Sequence, residues 1–281
     1  MTTTIIGVGM IGGSFALALR RHALADRIWG VEASAANAEE ALRLGLVDEI
    51  VTPDRCMAES DLIVIAIPVD EIPLLAVKLL NRVSPHQTII DMGSVKGELC
   101  EAISMHPNRC RFVATHPMWG TEYSGPAAAR NDAFAGRTVV ILEKERSAPD
   151  AVSLVEHIYT TIGMNITEMA SGEEHDLHAA YVSHISHITS FALALTVLEK
   201  EREDKHIFNL AGGGFESTVR LAKSSAVTWV PILLKNKYNV LDVLREHIHQ
   251  LQIMRKMIEN DDAEGLGNAI RHANRIQRII R

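Results

Sequence analysis

The chain has 281 residues, 47% of them apolar and 22% charged, enough for a large core domain with a smaller companion and too apolar for a disordered chain. A formal charge of −7 argues against a nucleic-acid partner, because neutralising phosphates needs a basic face; an anionic substrate must instead meet locally placed cations. Cys56, Cys100 and Cys110 are odd in number and form no C-x-x-C pair, which argues against a disulfide framework or a zinc knuckle and fits a reducing cytoplasm.

Met1 leads straight into a strand pattern with no leader-like segment, and no apolar stretch reads as approaching the roughly 18 residues of a membrane span, so a soluble cytoplasmic protein is expected. From residue 3 to about 170, short β-branched runs alternate with helical stretches, the pattern of βαβ units on a parallel sheet. Strands are expected at 3–6, 28–31, 62–67, 88–91, 111–114 and 138–142, with a further one at 165–169, and helices at 14–21, 35–44 and 150–162. After 170 the strand signals stop. Ser171 and Glu174 make an S-x-x-E capping box at the start of a helical region, so the expected domains are 1–170 and 171–281. Leu241, Leu244, Ile248, Leu251, Met254 and Ile258 recur at spacings of three and four, a stripe that must pack on a helix of the same chain or of a second copy; a homodimer is the favoured reading. Arg271, Arg275, Arg278 and Arg281 complement the dipole of the last helix.

The turn between the first strand and the first helix reads Gly7-Val8-Gly9-Met10-Ile11-Gly12, a G-x-G-x-x-G in the context that gives it meaning. Gly7 permits the tight turn, Gly9 lets the backbone approach a pyrophosphate, Gly12 lets helix and strand pack closely, and the helix N-terminus offers free N–H groups at Met10 and Ile11. This is a Rossmann-type unit. Glu32 follows the second strand, 20 residues past Gly12, where its carboxylate can accept from ribose hydroxyls and would repel a 2′-phosphate, which argues for NAD as the cofactor. Ligands in such sheets lie beyond the carboxyl ends of strands, which directs attention to Pro68, Ser94 and His116.

At these residues the chain resembles the prephenate and arogenate dehydrogenase family. The resemblance spans nearly the whole sequence: the glycine turn, Asp91 to Lys96, His116-Pro117-Met118 with Gly120-Thr121-Glu122, His175-Asp176 through Ser183-His184 to His187, and Gly212-Gly213-Gly214-Phe215 leading to Arg220. It is closest to the minimal, monofunctional form, with no mutase or regulatory extension. It implies oxidative decarboxylation: a hydride leaves C4 of a cyclohexadienol for NAD, and CO2 leaves C1 as the ring aromatises to 4-hydroxyphenylpyruvate, a step of tyrosine biosynthesis. By the resemblance His116 accepts the ring hydroxyl proton, and Ser94, near both the nicotinamide and His116, orients the imidazole and fixes its tautomer. The helical domain then serves dimerisation and substrate binding, with Arg220 gripping a substrate carboxylate and His187 making a second contact. Glu122 is carried over to the substrate entrance, and Trp229 to the cleft wall, where a core or interface tryptophan is the alternative. Lys96 either adds positive potential or makes a surface ion pair. Arogenate, with an amine in place of the ketone, is the alternative substrate; an NAD-binding sensor without chemistry is the alternative class.

The histidines at 175, 178, 184 and 187 do not read as a metal site. A straight helix puts His175 about 18 Å from His187, so the two need separate roles. His184 and His187 share a helical face without a third ligand nearby in sequence.

Overall fold

The computed structural model describes residues 1–202 and 206–278; Arg281, the last of the terminal arginines, lies outside them. The β-branched runs form β1 (Thr2–Ile6), β2 (Arg27–Val31), β3 (Glu49–Ile50), β4 (Leu62–Ile65), β5 (Thr88–Asp91), β6 (Phe112–Pro117), β7 (Thr138–Leu142) and β8 (Asn165–Met169). Between them lie α1 (Met10–Arg21), α2 (Ala35–Arg43), α3 (Pro53–Glu59), α4 (Ile72–Leu80), α5 (Gly97–Ile103) and α6 (Pro149–Thr161). Beyond β8 the described elements are helical: α7 (Gly172–Ala179), α8 (Ile185–Glu201), α9 (Gly213–Val219), α10 (Ala226–Lys235), α11 (Lys237–Glu259) and α12 (Ala263–Ala273), with short 3-10 turns between some of them.

The eight strands form one sheet in the order β3-β2-β1-β4-β5-β6-β7-β8. Every neighbouring pair is parallel except β6 and β7. Successive side chains point to opposite faces, so Leu62 and Val64 join one core with Phe15 and Leu19 of α1 and Val155 and Tyr159 of α6, while Ile63 and Ile65 join the other with Ala76 and Leu80 of α4 and Leu99 of α5. Both faces are covered, which is the doubly wound, mostly parallel architecture expected from the alternation of elements. From β1 the chain runs outward to β2 and β3, then returns to β4 on the other side of β1. The crevice at the carboxyl ends of β1 and β4 is therefore the topological switch point, where such sheets bind ligands.

Three details depart from the sequence expectation. The strand expected over 62–67 ends at Ile65. The strand expected to stop at 114 continues to Pro117 because β7 runs antiparallel beside it and pairs Thr115 with Ile141 and His116 with Val140, so His116 lies on the strand and not after it. The two-residue edge strand β3 is too short to display any period.

The chain forms two compact units, Met1–Asn236 and Lys237–Arg281. In the first, a π turn at Ala180–His184 joins α7 to α8 without interruption. The helix Gly172–Glu201 contains an 18-residue window of mean hydropathy 1.3, so by length and composition one helix is long and apolar enough to cross a membrane, contrary to the expectation from the sequence. Histidines and hydroxyl residues punctuate that run and hid it, yet His184 and Ser190 are buried, and Ser190 Oγ donates to the Thr218 carbonyl at 3.0 Å. In the second unit, Leu241, Ile248, Leu251, Met254 and Ile258 of the stripe on α11 are exposed.

Candidate active site

Gly7 has φ +91°, and a Cβ there would stand 2.5 Å from the Ala66 carbonyl oxygen, so the turn and the loop after β4 approach too closely for any side chain. A Cβ on Gly12 would meet the Gly7 carbonyl oxygen at 2.2 Å, whereas one on Gly9 would meet nothing within 4 Å. Gly9 thus faces open space. It is the N-cap of α1 and supplies no side-chain cap, which leaves the Met10, Ile11 and Gly12 amides at the helix N-terminus for an anion. Glu32 closes the turn from the end of β2: one carboxylate oxygen accepts from the Val8 N–H at 2.9 Å and the other from the Ser34 N–H at 3.1 Å. Pro68 is exposed in the loop between β4 and α4, and the Thr121 hydroxyl donates to the Met10 thioether at 3.0 Å, bringing the loop that carries Glu122 over the start of α1. An open glycine, a helix without a side-chain cap and a carboxylate at the end of β2 suit a dinucleotide.

The next strand end holds a buried polar cluster. Lys96 is fully buried, correcting the surface ion pair allowed from sequence: its ammonium pairs with Asp91 and donates to the Thr115 carbonyl. Asp91 also accepts from the Gly93 N–H at 2.8 Å and the Thr115 N–H at 3.2 Å, which locks the β5–α5 loop against β6. Ser94 sits half-buried in this loop, and its hydroxyl is not bonded to His116. His116 is 9% exposed, and its Nδ1 lies 2.8 Å from His175 Nε2 instead. Burial, reinforced by the neighbouring His175, Lys96 and His184, holds the His116 imidazole well below its usual range, so it is neutral. His175 Nδ1 lies 2.8 Å from Asp176 Oδ1, and Asp176 accepts from the N–H groups of Lys96 and Gly97, each at 2.8 Å.

The helical residues gather around Trp229. His187 stacks on the indole with ring centroids 3.4 Å apart and planes 23° from parallel, and its Nδ1–H donates to the Ser183 carbonyl at 3.1 Å. Its pKa is lowered by burial, with the Arg220 charge acting in the same direction and the Ser183 bond opposing both. His184 meets Trp229 edge-on, with ring centroids 5.9 Å apart, and is pushed down to about 4, mainly by burial. Its Nδ1 accepts from the Asn236 amide at 3.1 Å, and the same amide donates to the Asp176 carbonyl at 2.6 Å. Arg220 is half-exposed and reaches Glu122 at 3.2 Å. His178 is exposed, and among the described residues no three His, Cys, Asp or Glu side chains are grouped to hold a metal.

The structure brings the glycine turn, Glu32 and the loop of Thr121 together, and separately joins His187 to Trp229 and Arg220 to Glu122. Sequence reasoning missed His175, Asp176 and Asn236 as partners of site histidines; the adjacent His-Asp pair just inside a capped helix was the available signal. A dinucleotide cradle at the switch point and a buried neutral imidazole toward the carboxyl end of a strand of the same sheet mark the class, a dinucleotide-dependent oxidoreductase. Residues 15–168 match the family profile described as "Prephenate dehydrogenase, nucleotide-binding domain", and residues 171–272 match "Prephenate dehydrogenase, dimerization domain". Prephenate dehydrogenase of Bacillus subtilis is 32% identical over 270 residues, covering 94% of this chain and 72% of the relative. Cyclohexadienyl dehydrogenase of Zymomonas mobilis is 27% identical, covering 93% and 90%. A crystal structure of prephenate dehydrogenase from Aquifex aeolicus with hydroxyphenyl propionate and NAD+ superimposes with a TM-score of 0.90 at 29% identity, over 100% of this chain and 98% of that one. The chain belongs to the prephenate dehydrogenase family, and it is an NAD-dependent enzyme.

Proposed function

We propose that this enzyme converts prephenate to 4-hydroxyphenylpyruvate by oxidative decarboxylation, with His116 as the base. The observation that carries this reading is a buried, neutral imidazole at the carboxyl end of the sheet, on the strand next to the loop of Ser94. Bound NAD supplies the acceptor for the hydride leaving ring C4. The Met10, Ile11 and Gly12 amides and the Glu32 carboxylate hold the dinucleotide, with Pro68 and Ser94 lining its approach. His116 takes the ring hydroxyl proton as the hydride departs and returns it to the product oxygen once CO2 has gone, so no net proton is consumed. Arg220 offers a planar fork to a substrate carboxylate in exchange for Glu122 at the entrance, while His187, made rigid by its stack on Trp229, gives the second polar contact.

The test is a kinetic split on two variants. His116→Asn is expected to lose kcat by at least about 100-fold with NAD affinity unchanged, and Arg220→Ala to raise KM for prephenate about tenfold or more. Full turnover by His116→Asn removes the base assignment. A large kcat/KM preference for arogenate over prephenate in the parent enzyme would replace the substrate. The same reading places the domain boundary at residue 170, the enzyme in the cytoplasm and the helical domain at a homodimer interface.

A further inference from the structure

His116, His175 and Asp176 form a hydrogen-bonded chain whose direction is fixed from one end. Both Asp176 oxygens already accept backbone N–H groups, Oδ1 from Lys96 and Oδ2 from Gly97, each at 2.8 Å. A carboxylate used in this way can only accept from His175 Nδ1, 2.8 Å away. A singly protonated His175 then has its lone pair on Nε2, and the His116 Nδ1 that faces it at 2.8 Å must carry the proton. The lone pair of His116 is left on Nε2. The bonds are buried throughout, with His175 and Asp176 2% and 5% exposed, so water does not compete for them.

We propose that His175 and Asp176 are positioning residues that hold His116 as its Nδ1–H tautomer and so present Nε2 to the substrate hydroxyl, an inference that rests on His116 being the base. Asp176 acts on the site twice. Its two amide bonds fix the Lys96–Gly97 segment that follows Ser94, and its bond to His175 orients the base, so loop and imidazole share one anchor. The anchor is itself rigidly placed, because α7 is pressed onto that segment: a Cβ on Gly172 would lie 2.8 Å from the Lys96 carbonyl carbon and oxygen. When His116 Nε2 accepts the hydroxyl proton, Nδ1–H remains bonded to His175, and the chain ends on an anion that offsets the new positive charge.

Nitrogen-15 NMR of the full-length enzyme's histidine rings, with the His116 signals identified by their loss in His116→Asn, is expected to report a protonated Nδ1 and a bare Nε2 on His116. In Asp176→Asn the side-chain oxygen kept at the Oδ1 position still accepts from the Lys96 N–H and from His175 Nδ1–H, so the His116 tautomer should persist, whereas the anion that offsets the imidazolium is gone, so kcat should fall at least about tenfold with KM for prephenate within about threefold. Because Asp176 also anchors two amides, His175→Gln and His175→Phe test the relay without touching it. A glutamine oxygen near the former Nε2 still accepts from His116 and phenylalanine cannot, so kcat of His175→Gln should exceed that of His175→Phe at least about tenfold with equal NAD affinity. An Nε2–H tautomer of His116 in the parent enzyme, a doubly protonated His175, or equal kcat in the two His175 variants overturns the proposal. Unimpaired turnover by His116→Asn alongside the expected tautomer would sink the base assignment alone and leave the relay intact.

Discussion

Glu32 shows how one side chain can serve structure and recognition together. Its oxygens accept from the Val8 and Ser34 amides, so the carboxylate tightens the glycine turn, and in the proposed function it also accepts from the adenosine ribose. The negative charge repels a 2′-phosphate, and no arginine follows it in the next five residues. Glu32→Ser is expected to lower the kcat/KM ratio of NAD to NADP at least about tenfold, since about 1.4 kcal/mol of lost discrimination suffices; measured initial rates with both cofactors and an unchanged ratio would remove Glu32 from cofactor choice. The place of Glu32 beside the glycine turn was legible in the sequence because its offset from Gly12 is a local property of one βαβ unit. His175 and Asp176 were not, because their partners lie 59 and 80 residues away and pairing at that range is set by the sheet order. The surface placement allowed for Lys96 failed for a related reason: lysine is normally solvated, and the proximity of Asp91 and the Thr115 carbonyl makes its burial tolerable.

The start of α7 is the element on which the polar chain depends. The Ser171 hydroxyl accepts from the Glu174 N–H at 3.1 Å, as the capping box requires, while the Glu174 carboxylate reaches back one residue further than expected, to the Ala170 N–H at 3.0 Å. Gly172 then lets the first turn lie directly on Lys96 and Gly97. Its constraint is steric and not conformational, since its φ is not in the left-handed region. Gly172→Ala should therefore separate α7 from the loop, lowering stability by about 1–3 kcal/mol and reducing kcat together, whereas Ser171→Ala should cost about 1 kcal/mol with kcat nearly intact. Urea unfolding and steady-state rates on the two variants check this, and a Gly172→Ala enzyme with full kcat would deny the close approach any catalytic importance. Periodicity located seven of the strands within a few residues because buried β-branched runs announce themselves. It gave no sign of the π turn at Ala180–His184, which breaks the simple helical spacing between His175 and His187, nor of the extension of β6, which depends on a strand more than 20 residues downstream.

At the scale of the whole molecule, the apolar surface left exposed sets the last expectation. Leu195 and Leu198 on α8 are 67% and 53% exposed, and Leu251 and Ile258 on α11 are 53% and 63% exposed. Each helix is described within its own unit, and each presents large apolar side chains to solvent at helical spacing. The sequence stripe on α11 left open a partner in the same chain or in a second copy. The dimerization-domain profile over residues 171–272 favours the second copy. A C2 pairing repeats every contact twice, so one charged substitution enters the interface at two places. The parent protein is expected to sediment at twice the 30.9 kDa of one chain at micromolar concentration, and Leu251→Glu combined with Ile258→Glu to sediment as a single chain. The far-ultraviolet circular dichroism of the variant should match the parent, because these side chains are uncovered in the isolated chain. A parent enzyme that sediments at the mass of one chain, or a doubly charged variant that still pairs, would show that the stripe on α11 is not where two copies meet.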